Sequence, residues 1–202
     1  MYKNNFPHKR YKISLDFLKK TIDTSEKILD LGVSNPFSEI MKGSGYDVSN
    51  TQGEDLDINF KSIIQSDANV VTAFEIFEHL VAPFNVLREI KANKLIASIP
   101  LDLWFAKAYK SSTDSRDRHY HEFEQWQFDW LLEKSGWKII TSYKWTNPTK
   151  KIGFRPLLRL FYPRYYIVYA EKINGKNKTW SKKREENEET YSSDFVDYSH
   201  KI

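Results

Sequence analysis

The chain has 202 residues, of which 40% are hydrophobic, and a formal net charge of +4. It contains no cysteine, which excludes disulfides, thiolate metal sites and cysteine nucleophiles and favours a reducing compartment. Basic residues are spread along the chain, so nucleic acid is not a favoured partner, and no apolar run reaches the roughly 18 to 20 residues of a membrane-spanning helix. We therefore expect a cytoplasmic protein without a transmembrane segment.

The predicted elements alternate between helices and strands. A helix over 11–21 comes first, because its apolar side chains recur at roughly helical spacing. Short runs rich in β-branched and aromatic residues then predict strands at 27–31, 46–51, 69–74, 94–99, 137–145 and 165–171. The clearest helices between the strands cover 83–92 and 124–135, and a further helix is expected to begin near Pro36.

This order of elements predicts an α/β fold. We expect a Rossmann-like, doubly wound and mostly parallel sheet, with helices on both faces in three αβα layers. A loop rather than a helix joins the last two strands, so they are predicted to pair antiparallel at one edge of the sheet.

Three segments are predicted along the chain: a lead-in helix at 1–26, an α/β domain at 27–173 and a polar tail at 174–202. The tail has few apolar residues and buries too little surface to offset the entropy lost on ordering. We predict that it is disordered, with docking through Phe195, Val196 and Tyr198 as the alternative. The oligomeric state stays open.

The end of the first strand carries the sequence ILDLG at 28–32, followed by Ser34 and Pro36. Gly32 permits a tight turn and a close approach of the backbone to a ligand, and free N–H groups of the next helix are expected to point at that ligand. This arrangement is typical of a nucleotide-type cofactor site. An ordinary strand-to-helix turn is an equal alternative, because Ser34 and Pro36 stand where a complete glycine-rich loop has small residues.

Polar side chains also follow the second and third strands. Gln52, Asp55 and Asp57 lie in an acidic turn after the second strand, and Glu75 follows the third. Carboxylates at these places can accept hydrogen bonds from ribose hydroxyls or an adenine amino group, although a solvated acidic loop is the alternative. Because ligands bind outside the carboxyl ends of strands in an open α/β sheet, we expect one crevice there.

Four ordered stretches resemble the class I S-adenosylmethionine-dependent methyltransferases, in particular their small-molecule group. They are ILDLG at 28–32, FEIFEHL at 74–80, IASIP at 96–100 and LLEKSGW at 131–137, the last preceded by His119 and several aromatic residues. The resemblance covers about residues 28–140. It implies S-adenosylmethionine as cofactor and methyl transfer to a small molecule or biosynthetic intermediate.

The resemblance also implies a set of cofactor-binding residues, namely Asp30, Gly32, Ser34, Gln52, Asp55, Asp57 and Glu75. Within this set, Asp30 and Gly32 would support the methionine part of the cofactor, and Gln52 stands where the family usually has an acidic ribose ligand. One of the two aspartates of the acidic turn would lie near the adenine, and Glu75 would face the cofactor or substrate pocket.

Methyl transfer from a sulfonium needs alignment and desolvation, and a hydroxyl or amine acceptor also needs proton removal. His79, His119 and His121 are candidate bases, because only histidine titrates near neutral pH without perturbation, and Tyr120 is a further candidate beside them. Holding the loop after the strand is the alternative role for His79, and lining the pocket is the alternative for the others. The sequence HYHE at 119–122 shows no third partner for a metal, so no metal is predicted.

The resemblance implies that segment 101–118 forms a substrate loop. Segment 154–164 has three open roles: capping the pocket, holding an acidic substrate or contacting a lipid surface. The second mixes aromatic residues with arginines, and simple packing at the sheet edge is its alternative interpretation.

Two other functions of the protein stay open. A non-catalytic domain acting as a binding or assembly partner is favoured by Ser34, Pro36 and a short span between the second and third strands, and a nicotinamide-dependent dehydrogenase fits the glycine pattern less well.

Overall fold

The computed structural model describes residues 7–114, 117–147 and 153–173. The fold reported below belongs to one compact unit, which ends at Lys172. The prediction of a disordered tail at 174–202 falls outside the described residues, and the boundaries of the three predicted segments stay a prediction.

Helices and strands alternate along the described chain. The elements are α1 His8–Thr21, β1 Lys27–Asp30, α2 Pro36–Gly43, β2 Asp47–Asn50, α3 Lys61–Gln65, β3 Val70–Phe74, a 3-10 helix Phe77–His79, α4 Pro83–Glu89, β4 Lys94–Pro100, α5 Gln125–Lys134, β5 Trp137–Trp145, α6 Phe154–Leu158 and β6 Tyr165–Lys172. All six predicted strands are present, and no end differs from its prediction by more than one residue. In the described part of the chain, no helix combines the length and apolar character needed to cross a bilayer.

The six strands form one sheet in the order β2-β1-β3-β4-β6-β5. β1 to β4 run parallel, whereas β6 pairs antiparallel with both β4 and β5. The predicted α/β fold, with a mostly parallel sheet and an antiparallel edge, is therefore confirmed. The last strand lies inside the sheet beside β4, so β5 forms the edge.

Apolar layers cover both faces of the sheet. Successive residues of a strand point to opposite faces, so Ile28 belongs to one layer and Leu29 to the other. The first layer contains Leu18 of α1 and Phe37 of α2, and the second contains Phe128 of α5 together with side chains of α3 and α4. The predicted three-layer αβα arrangement is confirmed, and α1 is part of it.

The order of strands places a crevice at one edge of the sheet. From β1 the chain passes to β2 on one side and then, through the short helix α3, to β3 on the other side of β1. Such a reversal leaves a gap outside the carboxyl ends of the two central strands, which is where open α/β sheets bind ligands. In this protein those strands are β1, ending at Asp30, and β3, ending at Phe74.

The span between β2 and β3 is short. Residues 51–69 are all described, and α3 is the only regular element among them. The sheet therefore ends at β2 on this side, without a further strand beyond it among the described residues.

Candidate active site

A cavity of about 490 Å³ opens at the carboxyl ends of β1, β3 and β4. Its volume falls within the range of about 300 to 1,000 Å³ that is typical of small-molecule sites. Helix α1 supplies Arg10 and Ser14 to one wall, and Arg164 and Tyr165 contribute another from the start of β6. The cavity therefore lies at the point where the strand order reverses.

The structure brings about half of the predicted site residues to this cavity. Those that line it are Asp30, Gly32, Glu75, His79 and His119, whereas Ser34, Gln52, Asp55, Asp57, Tyr120 and His121 are not among its lining residues. Asp30, Gly32 and Glu75 lie at or just after the ends of β1 and β3, whereas His79 lies on the 3-10 helix Phe77–His79 and His119 in the segment before α5. Most of the others come from the loops beside these strands.

Asp30 is held by its two neighbouring strands. The strand register sets it opposite Asn50 of β2 and Thr72 of β3. Its carboxylate accepts hydrogen bonds from Thr72 Oγ1 at 2.7 Å and from Asn50 Nδ2 at 3.1 Å, and a longer one from Asn35 Nδ2 at 3.4 Å. Burial raises the pKa of Asp30 to about 6, although these hydrogen bonds oppose the shift.

Gly32 forms the turn that follows β1. Its φ of +105° lies in a region that favours glycine, so a side chain here would strain the backbone. Its N–H donates to Thr51 Oγ1 at 2.7 Å, which ties the turn to the end of β2. The space itself is not restrictive, because an added Cβ would lie 3.5 Å from Ile76 Cδ1.

The N–H groups at the start of α2 are already bonded, which contradicts the prediction that they are free for a ligand. Asn35 caps the helix, and its Oδ1 accepts from Phe37 N at 2.9 Å and from Ser38 N at 3.2 Å. Ser38 Oγ in turn accepts from Asn35 N, which completes a capping box. Pro36 has no N–H, so the first three helical positions have no N–H left over for a ligand.

Replacing Asn35 with alanine should therefore destabilise the fold by about 1 kcal/mol, because two helix N–H groups lose their acceptor. Urea unfolding of the purified variant measures this loss. Asn85→Ala is a matched control, since Asn85 is exposed in α4, and it should change the free energy of unfolding by no more than about 0.5 kcal/mol. Equal stability of both variants would contradict the capping role.

In the acidic turn after β2, carboxylates accept hydrogen bonds from backbone N–H groups of nearby loops. Asp57 accepts hydrogen bonds from Val81 N at 2.9 Å and Ala82 N at 2.8 Å, and so fixes the segment before α4. Asp55 accepts from the N–H of Asp57, and the exposed Gln52 donates its N–H to Glu54. The roles of these residues at a ribose or an adenine stay a prediction.

Ser34 lies in an exposed part of the turn after β1. Its hydroxyl donates to Glu39 Oε1 at 3.1 Å, within α2. Its predicted role in cofactor binding also stays a prediction.

Glu75 has a strained backbone at the end of β3. It is the only non-glycine residue with a positive φ, +57°, among the described residues. Its carboxylate accepts from Ser98 Oγ at 2.9 Å and lies 3.3 Å from Arg10 Nη1. Burial raises the pKa of Glu75, while Arg10 and Ser98 oppose the shift.

Glu78 is fully buried, and neither of its carboxylate oxygens has a hydrogen-bond partner among the described residues. Burial, together with the nearby charge of Glu75, raises the pKa of Glu78 well above its ordinary value. A buried carboxyl group without a hydrogen bond is costly to the fold, which points to a partner supplied by a ligand.

His79 and His119 meet beside Glu78. Their ring centroids are 4.9 Å apart in an edge-to-face arrangement. His79 Nδ1 lies 2.9 Å from the carbonyl oxygen of Arg118, and His119 Nδ1 lies 2.7 Å from Glu122 Oε1. Burial, and then the neighbouring His119, lower the pKa of His79.

The segment after His119 is anchored on the backbone of Glu78. The N–H groups of Tyr120 and His121 donate to the carbonyl oxygen of Glu78, at 2.8 Å and 3.2 Å. The Tyr120 side chain is exposed, and His121 Nε2 donates to the carbonyl oxygen of Val81. Neither side chain therefore joins His79 and His119 in the cavity.

The two segments singled out after β4 and β5, 101–118 and 154–164, contact each other. Tyr162 packs edge-on against Trp104 and Phe105, with ring centroids 6.5 Å and 5.8 Å apart. Tyr109 and Asp117 from the first segment and Arg164 from the second line the cavity. The roles of the two segments towards a substrate stay a prediction.

Several lining residues were not predicted from the sequence. Arg10 and Ser98 bind Glu75, and Arg164 Nη1 donates to the carbonyl oxygen of Leu101 at 2.6 Å. Glu78 lies within the stretch FEIFEHL, so its position after a buried strand was a usable signal. Arg10 carried no such signal, because it precedes Glu75 by 65 residues.

No protein-family model matches the chain, and no curated protein sequence matches it. Solved structures do resemble it. A predicted S-adenosylmethionine-dependent methyltransferase from Listeria monocytogenes is 15% identical, with a TM-score of 0.54 over 82% of this chain and 99% of that one. A methyltransferase with the same dependence from Archaeoglobus fulgidus is 16% identical, with a TM-score of 0.55 over 80% and 94%.

The [4+2]-cyclase SpnF is also similar, at 13% identity and a TM-score of 0.51, with coverage of 82% of this chain and 81% of SpnF. At such low identities the likeness concerns the fold, and one fold can carry different reactions. The sheet order, the three layers and these structural neighbours agree: the chain has the fold of the class I S-adenosylmethionine-dependent methyltransferases.

Proposed function

We propose that the protein binds S-adenosylmethionine in the cavity and transfers its methyl group to a small molecule or biosynthetic intermediate. The observation that carries this proposal is the cavity itself. It lies at the strand reversal of a methyltransferase fold and is lined by Asp30, Gly32 and Glu75. The cytoplasmic location and the small-molecule partner stay predictions.

The lining residues fit this cofactor. S-adenosylmethionine carries two positive groups, a sulfonium and an ammonium, and the cavity presents the carboxyl groups of Asp30 and Glu75. Asp30 and Gly32 would hold the methionine part, with Glu75 facing the cofactor or the acceptor. When bound, the cofactor supplies a methyl group that is activated towards nucleophiles.

The residues of the chain would contribute alignment and exclusion of water, which supply most of what methyl transfer needs. Hydrogen bonds fix Asp30 on both sides within the sheet, and the turn at Gly32 is tied to Thr51, so this wall of the cavity is rigid. His79 and His119 line the cavity and are the candidates for removing a proton from an acceptor.

Calorimetric titration of the full chain with S-adenosylmethionine and S-adenosylhomocysteine tests the proposal. We expect micromolar binding, weakened about 100-fold or more in Asp30→Ala, because the variant loses a buried carboxylate beside a cationic ligand. Asp47→Ala is the control, since Asp47 is exposed at the opposite end of β2, and it should bind like the wild type. Undiminished binding in Asp30→Ala would place the cofactor elsewhere.

A non-catalytic role as a binding or assembly partner is the second candidate. It is favoured by the capped start of α2, where Asn35 and Pro36 leave the first helical positions without an N–H for a ligand. Absence of binding to a folded sample would support this role. Titration with nicotinamide cofactors in the same experiment addresses the dehydrogenase alternative, for which we expect no binding.

A further inference from the structure

One buried cluster in the cavity is not needed for cofactor binding. Glu78 follows β3 on the 3-10 helix Phe77–His79, with 0% of its surface exposed. Both of its carboxylate oxygens lack a hydrogen-bond partner among the described residues. Native proteins rarely leave such a group without a partner, and a bound cation is one way to satisfy it.

The two histidines beside Glu78 are oriented as metal ligands usually are. A carbonyl oxygen can only accept a hydrogen bond, so His79 Nδ1 must donate its proton to Arg118 O. Glu122 likewise accepts from His119 Nδ1 at 2.7 Å. Each neutral ring then has its lone pair on Nε2, and a second hydrogen bond of this kind supports most metal-binding histidines.

The distances suit one small ion. A carboxylate oxygen of Glu78 and one ring nitrogen each of His79 and His119 all lie within 4.8 Å of one another. Around a tetrahedral ion with ligand bonds of about 2.0 to 2.2 Å, ligand atoms are about 3.4 Å apart, so small side-chain rotations close the cluster. The Glu78 carbonyl oxygen accepts from Tyr120 N and His121 N, which keeps the two segments together.

We propose that Glu78, His79 and His119 bind one divalent transition-metal ion of the series from Mn²⁺ to Zn²⁺. Two imidazole nitrogens and one carboxylate suit these ions, whereas Mg²⁺ and Ca²⁺ prefer oxygen ligands throughout. Three protein ligands leave coordination positions open to water or to an oxygen of a substrate. The ion also offsets the negative charges of Glu78 and of the neighbouring Glu75.

The proposed site departs from the prediction that no metal binds. Within the sequence HYHE, His119 belongs to the cluster, whereas His121 Nε2 donates to the carbonyl oxygen of Val81. The remaining ligands come from the 3-10 helix, about 40 residues earlier in the chain. A histidine that binds the ion cannot also accept a proton, so the metal takes the place of the proposed bases without altering the proposed cofactor residues.

Calorimetric titration of the untagged, metal-stripped full chain with Mn²⁺, Co²⁺, Zn²⁺ and Mg²⁺ tests the proposal, without S-adenosylmethionine present. We expect one ion per chain for the transition metals, much weaker binding of Mg²⁺, and a visible absorption band of nitrogen-coordinated Co²⁺. Glu78→Gln and His119→Asn should each weaken Co²⁺ binding by about 100-fold or more and abolish the band. The control His121→Asn should bind like the wild type.

Thermal unfolding without metal checks that the variants are folded. We expect Glu78→Gln to fold, because the amide keeps the shape of the carboxyl side chain. Failure of the folded wild-type chain to bind any transition ion would overturn the metal site. Unchanged Co²⁺ binding in Glu78→Gln would do the same. Neither outcome affects the cofactor proposal, which Asp30→Ala tests separately.

Discussion

Replacing Asp30 with asparagine should make the free energy of unfolding depend less on pH between pH 4.5 and 7.5. The pKa of Asp30 is raised to about 6 in the folded protein from its ordinary value of 3.8, because the side chain is buried. The folded state therefore retains a proton in the range where the unfolded chain has already lost it. Stability falls as the pH rises through this range, which is the reverse of the behaviour of a salt-bridged carboxylate.

The size of the effect follows from the shift. A difference of about 2 pKa units corresponds to about 3 kcal/mol at pH values above both pKa values, and about 2 kcal/mol of this develops between pH 4.5 and 7.5. Asparagine does not titrate, so the free energy of unfolding of Asp30→Asn relative to the wild type should rise by about 2 kcal/mol over this range. Urea unfolding at each pH measures the difference.

The comparison isolates one group. All other titrating residues are common to both proteins, and the altered hydrogen bonds to Thr72 and Asn50 contribute about equally at each pH. A constant difference between the two proteins across the range would show that Asp30 is ionised throughout in the folded state. Asp47→Asn at the exposed start of β2 is a matched control and should follow the wild-type curve.

Replacing Gly32 with alanine should weaken both the fold and cofactor binding. The backbone there has a φ of +105°, which costs a residue with a Cβ about 1 to 3 kcal/mol. Relief of this strain would shift the turn and lengthen the 2.7 Å hydrogen bond from Gly32 N to Thr51 Oγ1. We expect an equivalent loss in the free energy of unfolding and binding of S-adenosylmethionine at least about tenfold weaker.

Gly43→Ala provides the matched control. Gly43 is the last residue of α2, its φ is not positive, and an added Cβ would meet no atom within 4 Å. Alanine there should leave the cofactor affinity unchanged and stabilise the helix by up to about 1 kcal/mol. If Gly32→Ala behaved like Gly43→Ala in both measurements, the turn would not contribute to the site.

Much of the architecture could be predicted from local patterns. Alternating strands and helices indicated the three-layer α/β fold, and the lack of a clear helical pattern before the last strand indicated the antiparallel edge. The expectation of a loop there was wrong in one respect, because the short helix α6 lies between β5 and β6. The ends of β1 and β3 could be located because a buried apolar run stops at Asp30 and at Phe74. For the same reason the predicted crevice coincides with the cavity that Asp30, Gly32 and Glu75 line.

The surroundings of these residues could not be predicted in this way. The N–H groups of α2 were expected to be free, but Asn35 uses them, because a side chain at the N-cap competes with any ligand. Asp55 or Asp57 was expected near an adenine, which stays a prediction, and the sequence did not indicate that the Asp57 carboxylate bonds the segment before α4. Both outcomes depend on where the loops turn, which periodicity does not encode.

The sequence by itself determined the fold class and the edge of the sheet at which a ligand would bind, since both follow from hydrophobic periodicity and the order of elements. Only the tertiary structure decided which side chains meet there. Arg10 reaches Glu75 from α1, and His119 reaches Glu78 across 41 positions. Such contacts arise from the register and packing of distant segments, which is why the buried carboxylate of Glu78 and its two histidines became visible only in the folded chain.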